Sequence, residues 1–378
     1  MAAERIRLHI PFISGGEQNY IADVLANPQG FSQRKYLKNC LQWLKENYTE
    51  LPVLLTNTCT SALEIVCLSE GFQPGDEVIM PSFTYVSTAN AFVRQGVIPV
   101  FIDINATDLN LDVSQLEAAI TPKTKAIVAV HYAGVACNMH QLLAISKKHN
   151  LLLIEDAAHS FGAKYQNQLL GTIGHYGVIS FDLTKNIHCG QGGMLLANRP
   201  EKLDAIHITY ENGTNRDEFL SDKVPYFEWK ACGSKFLLSD LSAAFLLAQL
   251  QASGQYLENR KHLWNLYHQT LSAYNNPNFT LPNPPDYANH NGHVFYIKLN
   301  GRQKRDAMQK WLLQHNIESS FHFIPLHSSS FGRKTGRFVG EDINTTSQSN
   351  NLLRLPLHYL LTEADIIRVA DAINAFQP

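Results

Sequence analysis

The sequence has few of the features that mark several large classes of protein. Its formal net charge is −2 over 378 residues, and its lysines and arginines form no dense cluster. A protein that binds nucleic acid or an anionic membrane needs a basic surface, so neither partner is expected. The chain starts without a basic-then-apolar signal, and no apolar run approaches the about 18 residues that span a bilayer. We therefore predict a cytoplasmic protein.

Spacings typical of metal sites and disulfide frameworks are missing as well. The sixteen histidines show no HExxH or HxH spacing, which argues against a metal hydrolase. The six cysteines are far apart and include no CxxC pair: Cys40, Cys59, Cys67, Cys137, Cys189 and Cys232. This pattern argues against a zinc site and against a secreted disulfide scaffold. We expect reduced thiols and no bound metal.

The pattern of apolar residues predicts an α/β fold in two parts. Between about residues 52 and 196, helical stretches alternate with the runs VLLT, EVIMP, PVFIDI, AIVAVH, LLLIED, GVISF and GMLLA. Such alternation is typical of a mostly parallel sheet between helices. Near residue 239 a long amphipathic stretch begins, with Ser239 as its expected N-cap. We read it as a connecting helix, and we predict a large domain at 1–250 and a small α+β domain at 251–378.

Lys185 and Asp156 are the first candidates for catalysis. Lys185 follows the strand GVISF within GVISFDLTKN, and Asp156 ends the apolar strand LLLIED. Ligands of open α/β sheets lie beyond the carboxyl ends of the strands. A lysine amine can condense with a carbonyl, and a carboxylate suits the ring nitrogen of pyridoxal phosphate (PLP). The pair therefore predicts a PLP site, although a solvated loop lysine and a helix-capping aspartate are the alternatives for each residue alone.

A second group of residues is expected to hold the cofactor phosphate. In VLLTNTCTSALEI a strand leads through small polar residues into a helix. A helix N-terminus with hydroxyl groups is an anion site. We predict that Thr60 and Ser61 bind the phosphate there, that Ser180 adds a hydroxyl, and that Cys59 beside them also contacts the cofactor. Ordinary helix capping is the competing explanation.

Two further residues are expected to contact the cofactor ring. Phe83 and Tyr85 alternate in PSFTYVSTANAF, so one ring can face the cofactor while the other faces the core. We assign Tyr85 to stacking on the pyridine ring. His159, three residues after Asp156, is expected to bond the phenolic oxygen or to stack on the ring. For both residues, a purely structural role in packing is the alternative.

These motifs also carry a family resemblance. NTCTSAL, PSFTYVSTANAF, VHYAGVAC, EDAAHSFGA, SFDLTKN and GQGG follow one another as in the sugar aminotransferases of the DegT/DnrJ/EryC1/StrS group, which the chain resembles over nearly its whole length. The resemblance implies a PLP-dependent transferase of fold type I, like aspartate aminotransferase, with a large, mixed, mostly parallel sheet and a small C-terminal α+β domain. It further implies L-glutamate as amino donor and a homodimer with the active site at the subunit interface.

A closer similarity concerns the substrate. ENGTNRDEF, GSKFLLSDLSAAFLLAQL, HFIPLH and LLRLPL look like the subgroup that aminates TDP-4-keto-6-deoxyglucose at C4 to give TDP-4-amino-4,6-dideoxygalactose, a sugar of lipopolysaccharide or other surface polysaccharides. This similarity suggests Asn215, Arg216, His322 and His327 as substrate-binding residues, with core packing as the alternative for the histidines. Many relatives have glutamine where His159 stands.

Other functions remain open at this stage. Amination at C3, or formation of the gluco product, would need only a different pose of the sugar. A PLP-dependent sugar 3-dehydratase has histidine in place of the lysine, so Lys185 argues against it. A non-catalytic PLP-binding sensor is the alternative from another class of function.

Overall fold

The seven predicted apolar runs form strands of one eight-stranded sheet. The computed structural model describes residues 4–27, 29 and 33–377. Up to residue 197 the strands are β1 (Val53–Thr56), β2 (Glu77–Pro81), β3 (Ile98–Ile102), β4 (Thr124–Val130), β5 (Leu152–Asp156), β6 (Lys164–Tyr165), β7 (Gln168–Leu169), β8 (Tyr176–Ser180) and β9 (Gly193–Ala197). Strands β3, β2, β4, β5 and β8 lie side by side and parallel, whereas β9 pairs antiparallel with β8 and β1. The predicted fold class, a mixed and mostly parallel sheet, is confirmed.

Helices cover both faces of this sheet. The helices of this part of the chain are α1 (Glu17–Ala26), α2 (Lys35–Asn47), α3 (Cys59–Ser69), α4 (Val86–Val93), α5 (Leu116–Ala119), α6 (Met139–His149), α7 (Leu203–Tyr210), α8 (Arg216–Leu220) and α9 (Asp240–Gln251), of which α8 buries no residue. Successive residues of each strand enter opposite layers: Ile79 joins the core on the α2 and α9 side, while Val78 and Met80 join the core on the α3 and α4 side. Both faces are therefore apolar, which explains why the strand sequences do not alternate with polar residues.

The C-terminal part builds a separate core on a small antiparallel sheet. Its elements are α10 (Ser253–Ala273), β10 (Phe279–Thr280), β11 (Ala288–Asn289), β12 (Tyr296–Leu299), α11 (Arg302–Gln314), α12 (Gly332–Thr335), β13 (Arg337–Phe338), α13 (Thr345–Asn351), β14 (Leu352–Arg354) and α14 (Glu363–Asn374). Strands β10, β12 and β14 form the sheet. Short 3-10 turns lie at 113–115, 132–134, 200–202 and 326–328.

The stretch that begins near residue 239 differs in one respect from the sequence-based expectation. Ser239 is the N-cap, because its Oγ accepts a hydrogen bond from Ser242 N at 3.1 Å. The expected single helix is divided at Ala252 into α9 and α10. The split separates a segment that packs on the large sheet from one whose Leu263 and Tyr267 lie in the small core.

The chain crosses between the two parts more than once. Ile6, near the N-terminus, is buried in the C-terminal core. Conversely, β13 joins the edge of the large sheet by pairing parallel with β3. The division into 1–250 and 251–378 stays a prediction, and any boundary must account for these two crossings. None of the helices described here combines the length and the apolar character of a transmembrane segment.

Gly177 provides a test of how tightly β8 packs. A Cβ added at Gly177 would lie 2.0 Å from the carbonyl oxygen of Gly171, which is backbone and cannot move aside cheaply. We expect Gly177→Ala to lower the free energy of unfolding by about 2–3 kcal/mol. Gly254→Ala is the matched control, because that glycine lies in α10 with no atom near its added Cβ. There we expect stabilisation of about 0.5–1 kcal/mol. Urea unfolding of both variants measures the difference, and equal midpoints would refute the packing of β8.

Candidate active site

A cavity of about 460 Å³ lies where several strands of the large sheet end. It is lined by residues at or just after the ends of β1, β2, β4, β5 and β8, together with residues from the C-terminal part. Most of the predicted site residues meet there: Cys59, Thr60, Tyr85, Asp156, His159, Ser180, Lys185 and His322. A larger groove of about 990 Å³ on the C-terminal part contains none of the predicted residues.

Lys185 lies in the loop that joins the antiparallel strands β8 and β9. The loop is closed by Phe181 N donating to Gly192 O at 2.9 Å, and Lys185 N donates to Asp182 O at 2.9 Å. Desolvation lowers the pKa of the Lys185 amine, although nearby acidic groups oppose this shift. A lowered pKa increases the fraction of neutral amine, which is the form that attacks a carbonyl.

Asp156 is held at the end of β5 by two hydrogen bonds. Its Oδ2 accepts from Thr88 Oγ1 at 2.7 Å, and its Oδ1 accepts from Ala158 N at 3.2 Å. The Thr88 hydroxyl lies 2.9 Å from that of Thr84. Because Thr88 donates its proton to the carboxylate, Thr84 must donate to Thr88. The two hydrogen bonds thereby fix the orientation of a carboxylate that suits a cationic partner.

The neighbouring carboxylate, Glu155, has a different role because alternate strand residues face opposite sides. It is fully buried and accepts hydrogen bonds from His131 Nε2 at 3.0 Å and from the N–H groups of Gly171, Ile173 and Gly174 at 2.9, 2.7 and 2.7 Å. Glu155 thus fixes the turn that leads into β8. Only Asp156 of this pair reaches the cavity.

The N-terminus of α3 forms another wall of the cavity. Thr58 is its N-cap, with Oγ1 accepting from Ser61 N at 3.0 Å and lying 2.9 Å from Ser61 Oγ. Thr58, Cys59 and Thr60 line the cavity, whereas Ser61 is buried behind them. The first N–H groups of a helix have no intrahelical partner and are available to an anion.

Cys59 faces the cavity as a neutral thiol. Desolvation raises its pKa well above the ordinary value, and the Asp156 charge raises it further. Gly193 explains how the β9 strand passes so close to this helix start: a Cβ at Gly193 would lie 2.4 Å from Cys59 N. The room left by this glycine is therefore filled by backbone.

The two candidate ring contacts have different surroundings. Tyr85 is 60% exposed at the cavity, while Phe83 is fully buried. His159 stacks on His293 with 4.3 Å between ring centroids, and its Nδ1 accepts from Ala133 N at 3.3 Å. Desolvation lowers the pKa of His159 well below its usual value. The ring is therefore neutral, and since Nδ1 accepts, Nε2 carries the proton.

The four candidate substrate residues are not brought together. Only His322 lines the cavity. His327 is bonded at both nitrogens, to Ser82 Oγ at 2.7 Å and to Asp342 Oδ2 at 3.2 Å. Asn215 bonds locally to Glu218 Oε2 and to Glu228 N, and Arg216 begins α8, so both lie outside this cavity.

The cavity also contains residues that were missed from the sequence. Thr84 and Thr88 stand four positions apart in the same motif as Tyr85, a helical spacing that indicated a shared face. Thr58 could have been found as the N-cap preceding α3. Arg354, in LLRLPL, carries no local signal of its own, because only the fold brings β14 to the cavity.

This set of groups fits PLP. A desolvated amine suits its aldehyde, and a hydrogen-bonded carboxylate suits its ring nitrogen. A helix N-terminus with threonine hydroxyls suits its phosphate, and an aromatic wall suits its flat ring. In the described ranges, no cluster of three or more histidine, cysteine or acidic residues is arranged to hold a metal ion.

Known proteins resemble this chain over most of its length. The sequence is 33% identical over 372 residues to the uncharacterised protein MJ1066 of Methanocaldococcus jannaschii, covering 96% of this chain and 95% of that protein. It is 32% identical over 326 residues to the spore coat polysaccharide biosynthesis protein SpsC of Bacillus subtilis, covering 84% and 83% of the two chains.

The fold has close counterparts among solved structures. A sugar aminotransferase described as putative, Spr1654 of Streptococcus pneumoniae in its pyridoxamine phosphate form, superposes with a TM-score of 0.87 at 23% identity, covering 98% of each chain. The same protein has also been solved in a PLP form. Aminotransferases of the matching family depend on PLP, and the family pattern spans residues 14–374. The chain is thus a PLP-dependent enzyme that belongs to the DegT/DnrJ/EryC1/StrS aminotransferase family.

Proposed function

We propose that the enzyme transfers the amino group of L-glutamate to C4 of TDP-4-keto-6-deoxy-D-glucose, giving TDP-4-amino-4,6-dideoxy-D-galactose. The observation that carries transamination is the cavity in which Lys185, Asp156 and the N-terminus of α3 meet. The sugar assignment is supported by the subgroup motifs ENGTNRDEF, HFIPLH and LLRLPL. The name of the relative SpsC, a polysaccharide biosynthesis protein, points to the same class of substrate.

Lys185 has the central role in this proposal. Bound PLP supplies an electron-accepting ring that stabilises negative charge on the carbon next to the transferred nitrogen. Lys185 Nζ holds the cofactor until the amino donor displaces it. The freed amine then removes the proton from the α carbon of glutamate, and in the second half of the cycle it delivers a proton to C4 of the sugar.

The other cavity residues orient the cofactor. Asp156, fixed by Thr88 and Ala158 N, keeps the ring nitrogen protonated. Cys59, Thr60, Ser61 and Ser180 make up the phosphate site, with Ser61 acting from behind through Thr58. Tyr85 covers one face of the ring, and the Nε2 proton of His159 is donated to the phenolic oxygen. This tautomer lets His159 replace the amide donor that many relatives have there.

A second copy of the chain completes the enzyme in this proposal. A group of aromatic and aliphatic side chains near α8 is exposed: Phe219, Leu220, Tyr226, Phe227 and Trp229, with Trp229 82% exposed. Exposed apolar groups of this kind indicate a protein interface. Asn215 and Arg216 adjoin this surface, so in a symmetric dimer they would serve the cavity of the other subunit. The reaction is proposed to occur in the cytoplasm.

The role of Lys185 is tested by Lys185→Ala. We expect turnover to fall by at least ~10⁴-fold, because anchor, base and acid are lost together, while the thermal midpoint stays close to that of the wild type. Lys45→Ala, which removes an exposed lysine of α2, is the matched control and should keep full activity. Absorption spectra taken with glutamate follow the cofactor in each case. If glutamate leaves the wild-type spectrum unchanged, the alternative of a non-catalytic PLP-binding sensor is favoured. If Lys185→Ala keeps its activity, the assignment of Lys185 as the catalytic lysine is wrong.

The shared site is tested by mixing two inactive variants. Lys185→Ala and Arg216→Ala chains are unfolded together and refolded at equal ratio. If Arg216 acts across the dimer, each mixed dimer regains one intact site, and activity should reach about a quarter of the wild-type level by simple statistics of random pairing. If Arg216 acts within its own chain, no activity returns. Refolding each variant alone is the control for incomplete denaturation.

The substrate is tested by product analysis. The enzyme is incubated with TDP-4-keto-6-deoxyglucose and L-glutamate, and the product is identified by NMR. We expect an amino group at C4 in the axial, galacto configuration. A 3-amino or gluco product would refute the assigned regiochemistry or stereochemistry while leaving the aminotransferase chemistry intact.

A further inference from the structure

The 291–293 segment, formed by Asn291, Gly292 and His293, links the C-terminal part of the chain to two loops of the active site. It lies between β11 and β12, and His293 lines the cavity that contains Lys185. Asn291 and His293 are buried, with 2% and 7% of their surfaces exposed. Their side-chain nitrogens make hydrogen bonds to loops of the large sheet.

The first of these loops carries Lys185. Its neighbour Asn186 is buried and donates from Nδ2 to Asn291 O at 3.2 Å. A carbonyl oxygen can only accept, so the amide nitrogen of Asn186 must face it and Oδ1 must face His293. Oδ1 of Asn186 lies 2.9 Å from His293 Nδ1, which therefore carries a proton and donates. The residue next to the reactive amine is thus fixed by two hydrogen bonds with the 291–293 segment.

The second loop carries His159. Asn291 Nδ2 donates to His159 O at 2.8 Å and to Phe161 O at 3.0 Å, so it holds the backbone of that loop. The His293 ring stacks on the His159 ring, with centroids 4.3 Å apart and planes inclined by 29°. The 291–293 segment therefore fixes both where the His159 backbone lies and how its ring is turned.

Gly134 shows how closely these parts approach one another. A Cβ added to Gly134 would lie 2.2 Å from Asn291 Oδ1 and 3.1 Å from His159 O, and its φ of +78° favours glycine. The preceding residue, Ala133, donates from its backbone N–H to His159 Nδ1 at 3.3 Å. The His159 ring is therefore held by a backbone donor at one nitrogen and by the His293 ring on one face.

Both rings of the stacked pair are neutral. Desolvation lowers the pKa of His293 well below its usual value, and it does the same for His159. The charges that act on His293 are those of cations, among them Lys185 and Arg260, and they oppose its protonation further. His159 accepts at Nδ1 and so carries its proton on Nε2, whereas His293 donates its proton to Asn186. Of the two rings, only that of His159 has a proton left to donate to a ligand.

We propose that His293 is a positioning residue for transamination. Its ring holds His159 in the orientation in which Nε2 donates to the phenolic oxygen of PLP. Its Nδ1 proton holds the Lys185 loop through Asn186. The proposal rests on the cofactor roles proposed above for His159 and Lys185. Both restraints remove freedom of movement before the cofactor binds, so less order has to be created during the reaction.

Two substitutions of His293 separate its two contacts. In His293→Phe the ring that stacks on His159 is kept, and the donor to Asn186 is lost. In His293→Asn the stacking ring is lost, while the amide nitrogen stands near the place of Nδ1 and can still donate to Asn186. Each variant therefore tests one contact while the other is preserved.

The contact with His159 is measured by a pH titration of the absorption spectrum of the PLP form without substrate. A donor to the phenolic oxygen takes up part of its negative charge, and that charge holds the proton of the nitrogen that links PLP to Lys185. Loss of the donor should raise the midpoint of the titration by about one pH unit. We expect this rise in His159→Phe and in His293→Asn, and no rise in His293→Phe.

A double variant shows whether His293 acts through His159. Once His159→Phe has removed the donor, adding His293→Asn should shift the midpoint no further. A further rise of similar size would mean that His293 acts on the cofactor directly, and equal rises in His293→Phe and His293→Asn would mean that stacking does not position His159. Either result overturns the proposal. If His159→Phe itself leaves the midpoint unchanged, the cofactor role of His159 is wrong and this contact of His293 has no function.

The contact with the Lys185 loop is measured in a single turnover of the PLP form with glutamate. Because the Lys185 amine moves the proton in this step, His293→Phe should slow the step at saturating glutamate on the order of 10-fold. The half-saturating glutamate concentration should change by less than about 3-fold. Asn186→Ala removes the same hydrogen bond from the other side, so the double variant should be no slower than Asn186→Ala alone. Losses that multiply would overturn the proposal.

His290 provides the matched control. It precedes the segment, its Nδ1 accepts from Gly292 N at 3.1 Å, and its ring packs on Trp264 with centroids 4.3 Å apart, outside the cavity. His290→Asn should leave the titration midpoint and the glutamate step unchanged, even where it lowers the thermal midpoint. A shift equal to that of His293→Asn would show that any loosening of this loop has the effect, and would overturn the specific role of His293.

The titration also separates this proposal from the proposed function. It needs no substrate, so its result stands even if glutamate or the keto sugar is the wrong substrate. If glutamate fails with the wild type, the proposed amino donor is wrong, and the single turnover is run with whichever amino acid is active. A wild type whose PLP spectrum shows no link to Lys185 would refute the site itself, and the role of His293 with it.

Discussion

The alternation of side chains at the end of β5 is the constraint on which the site depends. Glu155 and Asp156 are adjacent, so the pleat of the strand sends them to opposite faces. Glu155 ties down the turn at 171–174 and, through it, the start of β8. Asp156 meets the hydroxyl of Thr88 at the cavity. Lys185 lies in the loop that follows β8. The end of β5 therefore supplies the carboxylate of Asp156 and, through Glu155, also fixes the strand from which the Lys185 loop begins.

The sequence predicted most of what depends on local chemistry. The strands were predicted from apolar runs, and the Ser239 N-cap from a residue type that begins helices. The family was predicted from motifs that occur in a fixed order. The cavity also gathers residues from separate motifs, such as Thr60, Asp156 and Lys185, because parallel strands end at one edge. Their individual roles toward the cofactor remain proposals.

What the sequence could not predict depends on contacts between distant segments. Nothing near Arg354 in LLRLPL indicates that β14 reaches the cavity, because that approach is set by the packing of the small core. The break between α9 and α10 at Ala252 could not be predicted either, because the apolar pattern of the sequence continues through it. Gly193 illustrates a further limit, because only the fold shows that the backbone at Cys59 leaves no space for a side chain at this position.

The two crossings of the chain have a consequence for how such an enzyme changes over evolution. Ile6 belongs to the C-terminal core, and β13 belongs to the edge of the large sheet. The first residues also hold the Lys185 loop, since His9 Nε2 lies 3.0 Å from Leu183 O and His188 Nε2 lies 2.9 Å from Phe12 O. If the C-terminal part alone were exchanged between relatives, both crossing segments would pack against residues from a different protein. Substitutions around the cavity leave both contacts intact, so they change the substrate site at a smaller cost in stability than an exchange of the two parts.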